Sequence, residues 1–381
     1  VLCITIFANL VALFSWFYLL PVHLKKLGAS DPDIGLAYTL FTLGLTIFQG
    51  LGGYLADRYG RKALIVVPTF AFPIAYGAMA LSADWRLTAS MYLFADIVTA
   101  LQIPAFAALL AESIERRERA FIWYEAAASL GAALGPFVGA ALGDLWDLQA
   151  FMGLTAVVTL LAAVTRLALL AETKKATVTP VGSRPLTQMI TRDLRWFFLG
   201  GSLLFLATSI TLGPFPTLYF KEGLFKSESE INLLFGIGWG IAALLSLFGE
   251  KIAARLRAKR ILAASSLLHP GMLLIWVGVG QANWQIAPFL ASFLFIQFIF
   301  VGWQLLLAEL TTLENRGRIA GLFGTLTGLI SSLGPTIAMQ AKLAWGEWLP
   351  FGLATLFGAL GLLALLPCHP KDPSTLERHA P

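Results

Sequence analysis

GGYLADRYGRKALIV, from Gly52 to Val66, sets one acid, Asp57, and three bases, Arg58, Arg61 and Lys62, between two long apolar runs. Working outward from it, the whole chain is apolar: 57% of its 381 residues are hydrophobic and 13% are charged. Soluble domains carry about 25% charged residues, so lipid rather than water is the expected solvent. Thirty-five glycines and 28 phenylalanines suit helices that pack closely in a bilayer. The formal charge of +5 does not indicate nucleic acid, because the bases fall in short loops between apolar runs. Cys3 and Cys368 lie near opposite ends, without the spacing of a disulfide framework or a metal cluster. The opening run from Val1, with no Met and no charged leader before it, reads as a spanning helix whose natural start lies upstream, not as a cleaved signal.

A span needs roughly 20 apolar residues. That length predicts twelve helices, at about 1–22, 33–56, 63–82, 86–110, 120–143, 148–170, 196–220, 230–250, 261–281, 285–309, 318–341 and 348–367. The division is then a first six-helix bundle over 1–171, a polar cytoplasmic linker over 172–195, a second bundle over 196–367 and a tail over 368–381. With Arg58 placed inside, cytoplasmic segments hold twenty Lys and Arg and outer loops hold six, while Arg166 falls within the sixth span. This bias predicts a multi-pass protein of the cell (inner) membrane with both termini cytoplasmic. An offset of 199 carries Arg58, Arg61, Arg119, Gly135 and Pro136 onto Arg257, Arg260, Arg318, Gly334 and Pro335. Halves of six spans each have like orientation, so the repeat predicts an all-α membrane protein with a pseudo-twofold along the membrane normal.

Gly53, Leu55, Ala56, Asp57, Arg58, Gly60, Arg61 and Lys62 resemble the signature loop of the major facilitator superfamily, which joins its second and third helices. GAALGPFVGA, Gly131–Ala140, resembles the Gly-Pro motif of the fifth helix, associated in that superfamily with exporters. The resemblance implies alternating access, and a latch made by the loop aspartate when the cytoplasmic side is shut. Gly53, Asp57, Arg58, Gly60, Arg61 and Arg119 are the latch candidates, with Arg58, Arg119 or a helix N-terminus as the partner of Asp57. Arg61 and Lys62 are expected at the membrane face, holding the loop inside. The second hinge has Leu256 opposite Asp57, so no equivalent latch is expected there. Gly131, Gly135, Pro136, Gly139, Gly334 and Pro335 form the helix-packing motif.

An Asp at a helix centre costs about 2.5–3.5 kcal/mol on insertion scales and usually faces a cavity. Asp96 sits mid-way along the fourth span, on one face with Tyr92, Thr99 and Ile103. Burial favours the neutral form of a carboxyl, so Asp96 is the first candidate for proton coupling and Glu125 the second. A structural bond from Asp96 to Asn9, and a pairing of Glu125 with a loop Arg, are the alternatives. Where drug exporters of the family carry Arg and then Gly four residues on, this chain has Asp96 and Ala100, which points to a cationic substrate or another coupling route.

Asn9, Trp16, Tyr92, Thr99, Thr208, Thr211, Gln297 and Gln304 form polar stripes on spans one, four, seven and ten, which line the central path in the superfamily. The same residue types also hold helices together. Pro214 and Pro216 free backbone carbonyls in the seventh span and give it a place to bend. Arg166 reads as a snorkelling side chain. No Walker loop, zinc spacing or nucleophile elbow occurs, and the four histidines are scattered. The expected protein is therefore not an enzyme and needs no cofactor or metal. It is a monomer in the lipid bilayer that exchanges a small amphipathic or hydrophobic molecule for protons, with export favoured. Import of a metabolite or nutrient, and lipid flipping or sensing on the same fold, remain the rivals.

Overall fold

The computed structural model describes residues 1–112, 117–171, 190–246, 258–280, 284–311 and 316–368; the side chains of residues 112, 117–119, 246 and 258 are not among those described. Within that range the chain is helical and has no strand. Helices are the expected solution in lipid, because each satisfies its own backbone polar groups. In chain order they are α1 Leu2–Phe14, α2 Leu20–Lys26, α3 Asp31–Tyr59, α4 Arg61–Thr69, α5 Ala71–Leu81, α6 Trp85–Glu112, α7 Arg117–Leu142 and α8 Leu148–Leu169. Then follow α9 Arg192–Leu212, α10 Phe215–Leu218, α11 Glu228–Ser246, α12 Ala258–Val279, α13 Ile286–Leu310, α14 Arg316–Ser331, α15 Gly334–Trp345 and α16 Leu349–Leu365. Joined end to end where they continue one another, they give eleven stretches long and apolar enough to cross a membrane, plus the shorter α16. These twelve stand where the hydropathy runs placed them.

Local chemistry sets the ends. Ser30 caps α3 with a reciprocal capping box, its backbone and hydroxyl both donating to Asp33, and Pro32 occupies the first turn. Asp147 caps α8, accepting from the Ala150 amide at 2.8 Å, and Thr191 caps α9. Gly60 ends α3 with φ of 94°, a conformation open to glycine at little cost, and α4 starts at the next residue.

Contacts divide the chain into two units, Val1–Thr177 with Pro214–Gly240, and Val178–Gly213 with Ile241–Pro381. The boundary inside the seventh span falls where α9 stops and Gly213 is extended; Pro214 and Pro216 then start α10, which runs into a π-helical turn at Tyr219–Gly223. Residues beyond Gly213 group with the first unit through specific bonds. Lys25 pairs with Glu222 and Lys26 with Glu228, Asn232 Nδ2 donates to the Ser15 carbonyl at 2.8 Å, and Tyr18 stacks on Phe235 at 4.4 Å.

Inside the first unit, Ala56, Ile65, Val66, Ala105, Phe106 and Leu109 build the core between α3, α4 and α6. In the second unit, Trp303 clusters with Phe197 at 3.9 Å and Phe323 at 4.2 Å, and Trp276 packs on Phe289 and Phe351. Large apolar side chains such as Ile4, Val67, Leu81 and Leu167 point outward uncovered, as on a surface solvated by lipid tails.

Candidate functional site

The signature turn folds differently from the expected arrangement of charges. Asp57 pairs with Arg61, Oδ1 to Nη1 at 3.0 Å, and Arg61 is buried. The cause is the reversal at Gly60, which tucks the first side chain of α4 beneath the last turn of α3. There Arg61 Nη1 also donates to the Ala56 carbonyl at 2.9 Å, and a cation is favourable at that helix end. Arg58 turns elsewhere, toward the Tyr54 hydroxyl at 3.3 Å and over the Tyr59 ring. The Arg119 side chain lies outside the described residues. Gly53 has room to spare; its neighbour Gly52 makes the close approach, since a Cβ there would lie 2.5 Å from the Leu101 carbonyl oxygen.

Gly131, Gly135 and Gly139 recur every four residues on α7 and face α1. A Cβ would meet the Phe7 carbonyl at 2.7 Å from Gly131 and Phe14 Cβ at 2.6 Å from Gly135, and would overlap the Ser15 carbonyl from Gly139. Pro136 is buried beside them. In the second unit Gly334 approaches Ser209 in the same manner, with buried Pro335 next to it.

Asp96 lies mid-way along α6, half-buried, within electrostatic reach of Tyr38, Tyr76 and Tyr92. It makes no ion pair or hydrogen bond among the described residues, so the alternative bond to Asn9 is not formed. Tyr92 is buried and touches Trp16, Phe17 and Phe41 ring to ring. Trp16 is fully buried rather than on an open path, with Nε1 donating to Thr155 Oγ1 at 2.9 Å. Glu125 is exposed beside Ile122 and Trp123, one residue past a side chain that does turn inward, Tyr124.

Next to this group is a cavity of about 150 Å³ whose polar lining includes Asn9, Thr99, Gln102, Tyr124, Thr155 and Arg166. Arg166 does not snorkel. It is 1% exposed, donating from Nε to Thr5 Oγ1 at 3.0 Å and from Nη1 to Thr69 Oγ1 at 3.1 Å, with Phe106 under its plane. α8 turns residue 166 to the bundle core, where two threonine hydroxyls meet it, and no route to the interface is needed. Gln102 is also buried and bonds the Ile65 carbonyl and Thr69.

In the second unit Thr208 and Thr211 are buried on α9. Thr211 Oγ1 lies 2.8 Å from His269 Nε2, and His269 Nδ1 lies 3.0 Å from the Ser292 carbonyl. A carbonyl only accepts, so Nδ1 donates to Ser292, and the single Thr211 hydroxyl lies 2.8 Å from both Nε2 and the Thr208 carbonyl. Sequence inspection left His269 among scattered histidines, because a bond from α9 to α12 has no signal in local spacing. Gln297 is half-buried and Gln304 exposed on α13. Among the described residues no group of His, Cys, Asp and Glu has the makings of a metal site.

Comparison with known proteins yields a match over residues 2–335 to the family model described as Major Facilitator Superfamily. Quinolone resistance protein NorA of Staphylococcus aureus (strain MSSA476) is 25% identical over 331 residues, 84% of this chain and 83% of that protein. Among solved structures, the nucleoside transporter NupG superposes with a TM-score of 0.78 at 14% identity, covering 96% of each chain. A bacterial homolog of the human lysosomal transporter Spinster superposes with a TM-score of 0.69 at 13% identity, covering 96% of this chain and 94% of that one.

Proposed function

The chain belongs to the major facilitator superfamily, a family of membrane transporters of small molecules and not of enzymes, and from that premise we propose that it exports a small amphipathic or hydrophobic compound in exchange for protons. The observation that carries this reading is Asp96, a mid-span carboxyl with no counter-ion among the described residues, set among tyrosines. An ionisable group kept at that depth needs a role that offsets its insertion cost, and cycling between charged and neutral forms is such a role. The likeness to a quinolone resistance protein supports the outward direction. An aromatic surround beside a carboxyl also suits an amphipathic cation. Glu125 is the alternative proton carrier. The excess of Lys and Arg in alternate loops supports both termini lying in the cytoplasm of a cell whose inner membrane this monomer spans.

Everted membrane vesicles test the reading. With an acidified lumen and no ATP, vesicles carrying the chain accumulate ethidium or a fluorescent quinolone several-fold above vesicles lacking it, and nigericin abolishes the difference. Substrate uptake by intact cells down the inward proton gradient would indicate import. Scrambling of labelled lipid with no solute flux would indicate a flippase.

The turn at Gly60 serves as the cytoplasmic latch. Asp57, paired with Arg61 across the turn, is the group that latches the halves when the cytoplasmic side is shut. Asp57→Ala at equal expression is expected to slow transport several-fold, and more than any single substitution across 255–260. Initial rates in the vesicle assay check this, and an unchanged rate removes the latch.

A further inference from the structure

We propose that the cavity beside Arg166 is a second subsite, which binds the carboxylate of a small aromatic molecule alongside the cation-favouring surround of Asp96, and it rests on the exporter reading. Arg166 Nη2 is buried and has no hydrogen-bond partner, whereas Nε and Nη1 are both engaged. No acid lines the cavity, and no carboxylate acts on the guanidinium among the described residues. A guanidinium is charged at any working pH, and a buried charge without a counter-charge is destabilising. The protein therefore holds a cation with one buried donor pair left over, on a side chain that lines the cavity.

The lining specifies what fills that space. Asn9, on α1, lines the same cavity, and its amide Oδ1 is buried without a partner. Half a turn of that amide offers Nδ2 as a second donor, and the Tyr124 hydroxyl is a third. Two or three donors together with a guanidinium on the walls of one cavity suit a planar anion. Phe72, Tyr76, Phe106 and Ile103 supply the apolar remainder, so the anion sits on an aromatic body. Drug-sized sites run to about 300–1,000 Å³, and about 150 Å³ takes one ring, or the acidic end of a larger molecule. Tyr76 lines the cavity and also lies within reach of Asp96, so the anion site and the proposed proton carrier share a wall.

Equilibrium titration of the full chain in neutral detergent, with benzoate, benzamide and benzylamine as probes, tests this. Benzoate is expected to bind at least about tenfold tighter than its neutral isostere benzamide, a difference of one charge-assisted contact, and benzylamine not at all. Asn9→Ala should weaken benzoate several-fold, and Ile103→Trp, which fills the cavity, should abolish binding. Arg166→Gln should abolish it too; if that variant does not fold, the other two decide. Equal affinity for benzoate and benzamide, no benzoate binding, or binding unchanged in Asn9→Ala and Ile103→Trp would overturn the proposal. Binding in phosphatidylcholine nanodiscs that disappears in phosphatidylglycerol nanodiscs would reassign the site to a lipid headgroup and overturn it as well. Ethidium flux without benzoate binding removes this site alone, whereas benzoate binding without flux of any solute removes the transport reading.

Discussion

Asp96→Asn is expected to reduce gradient-driven accumulation to the level of vesicles lacking the protein, a loss of at least about tenfold, while the variant still binds ethidium. The amide keeps the size and polarity of the carboxyl but cannot take up or release a proton. Asp96 makes no ion pair or hydrogen bond among the described residues, so its replacement breaks no structural contact there. The loss should therefore fall on coupling and not on folding. Downhill ethidium movement without a pH gradient should survive at a rate comparable to the parent protein. Unchanged accumulation by the variant would remove Asp96 from the mechanism and pass the role to Glu125, for which Glu125→Gln is the same experiment.

Gly139→Leu is expected to have the largest effect on stability. A Cβ at that position overlaps the Ser15 carbonyl, and the Asn232 amide closes the other side. Neither can move cheaply: one is backbone, and the other is a buried side chain bonded to it. Overpacking a well-filled interior costs about 1–3 kcal/mol, and a clash with backbone belongs at the upper end. The melting temperature in detergent should fall by about 4 °C, or the protein should lose its monodisperse peak. Gly324→Ala is the matched control, because nothing lies within 4 Å of the added Cβ and alanine favours a helix. That variant should melt at or slightly above the parent temperature. Equal melting of the two variants would mean that α1 and α7 are not in the close contact described.

The spans were legible because their signal is local. A run of about 20 apolar residues bounded by charge reads as a crossing helix wherever the neighbours are. The shortfall of α16, at Leu349–Leu365, and the break after Leu212 are corrections of detail. Pro214 and Pro216 pointed to that break, and Gly213 is where it falls.

The site was legible only where a residue's own rarity spoke for it. Asp96 stood out as an acid in an apolar run. Arg166 stood out equally, and a general rule about long cationic side chains misread it. Its partners Thr5 and Thr69 lie 161 and 97 positions away, so only the tertiary structure brings them together. Asp57 and Arg61 are four apart, but a glycine with positive φ lies between them, and helical spacing carries no information across such a turn. Trp16 was flagged as polar-tipped on the path. The Thr155 hydroxyl, on α8, accepts a hydrogen bond from its indole N–H, and the ring stays in the core. Polar residue types mark both cavities and buried bonds, and which of the two a given residue serves depends on what the other helices set opposite it.

Proton movement is the most direct test of the central claim that substrate leaves as protons enter, with Asp96 carrying the proton. Proteoliposomes of the purified chain, loaded with a lumenal pH dye and given external ethidium with no initial pH difference, should show lumenal alkalinisation as ethidium enters. The signal should be absent in Asp96→Asn. Ethidium entry by the parent protein with no change in lumenal pH, or with acidification, would contradict the account.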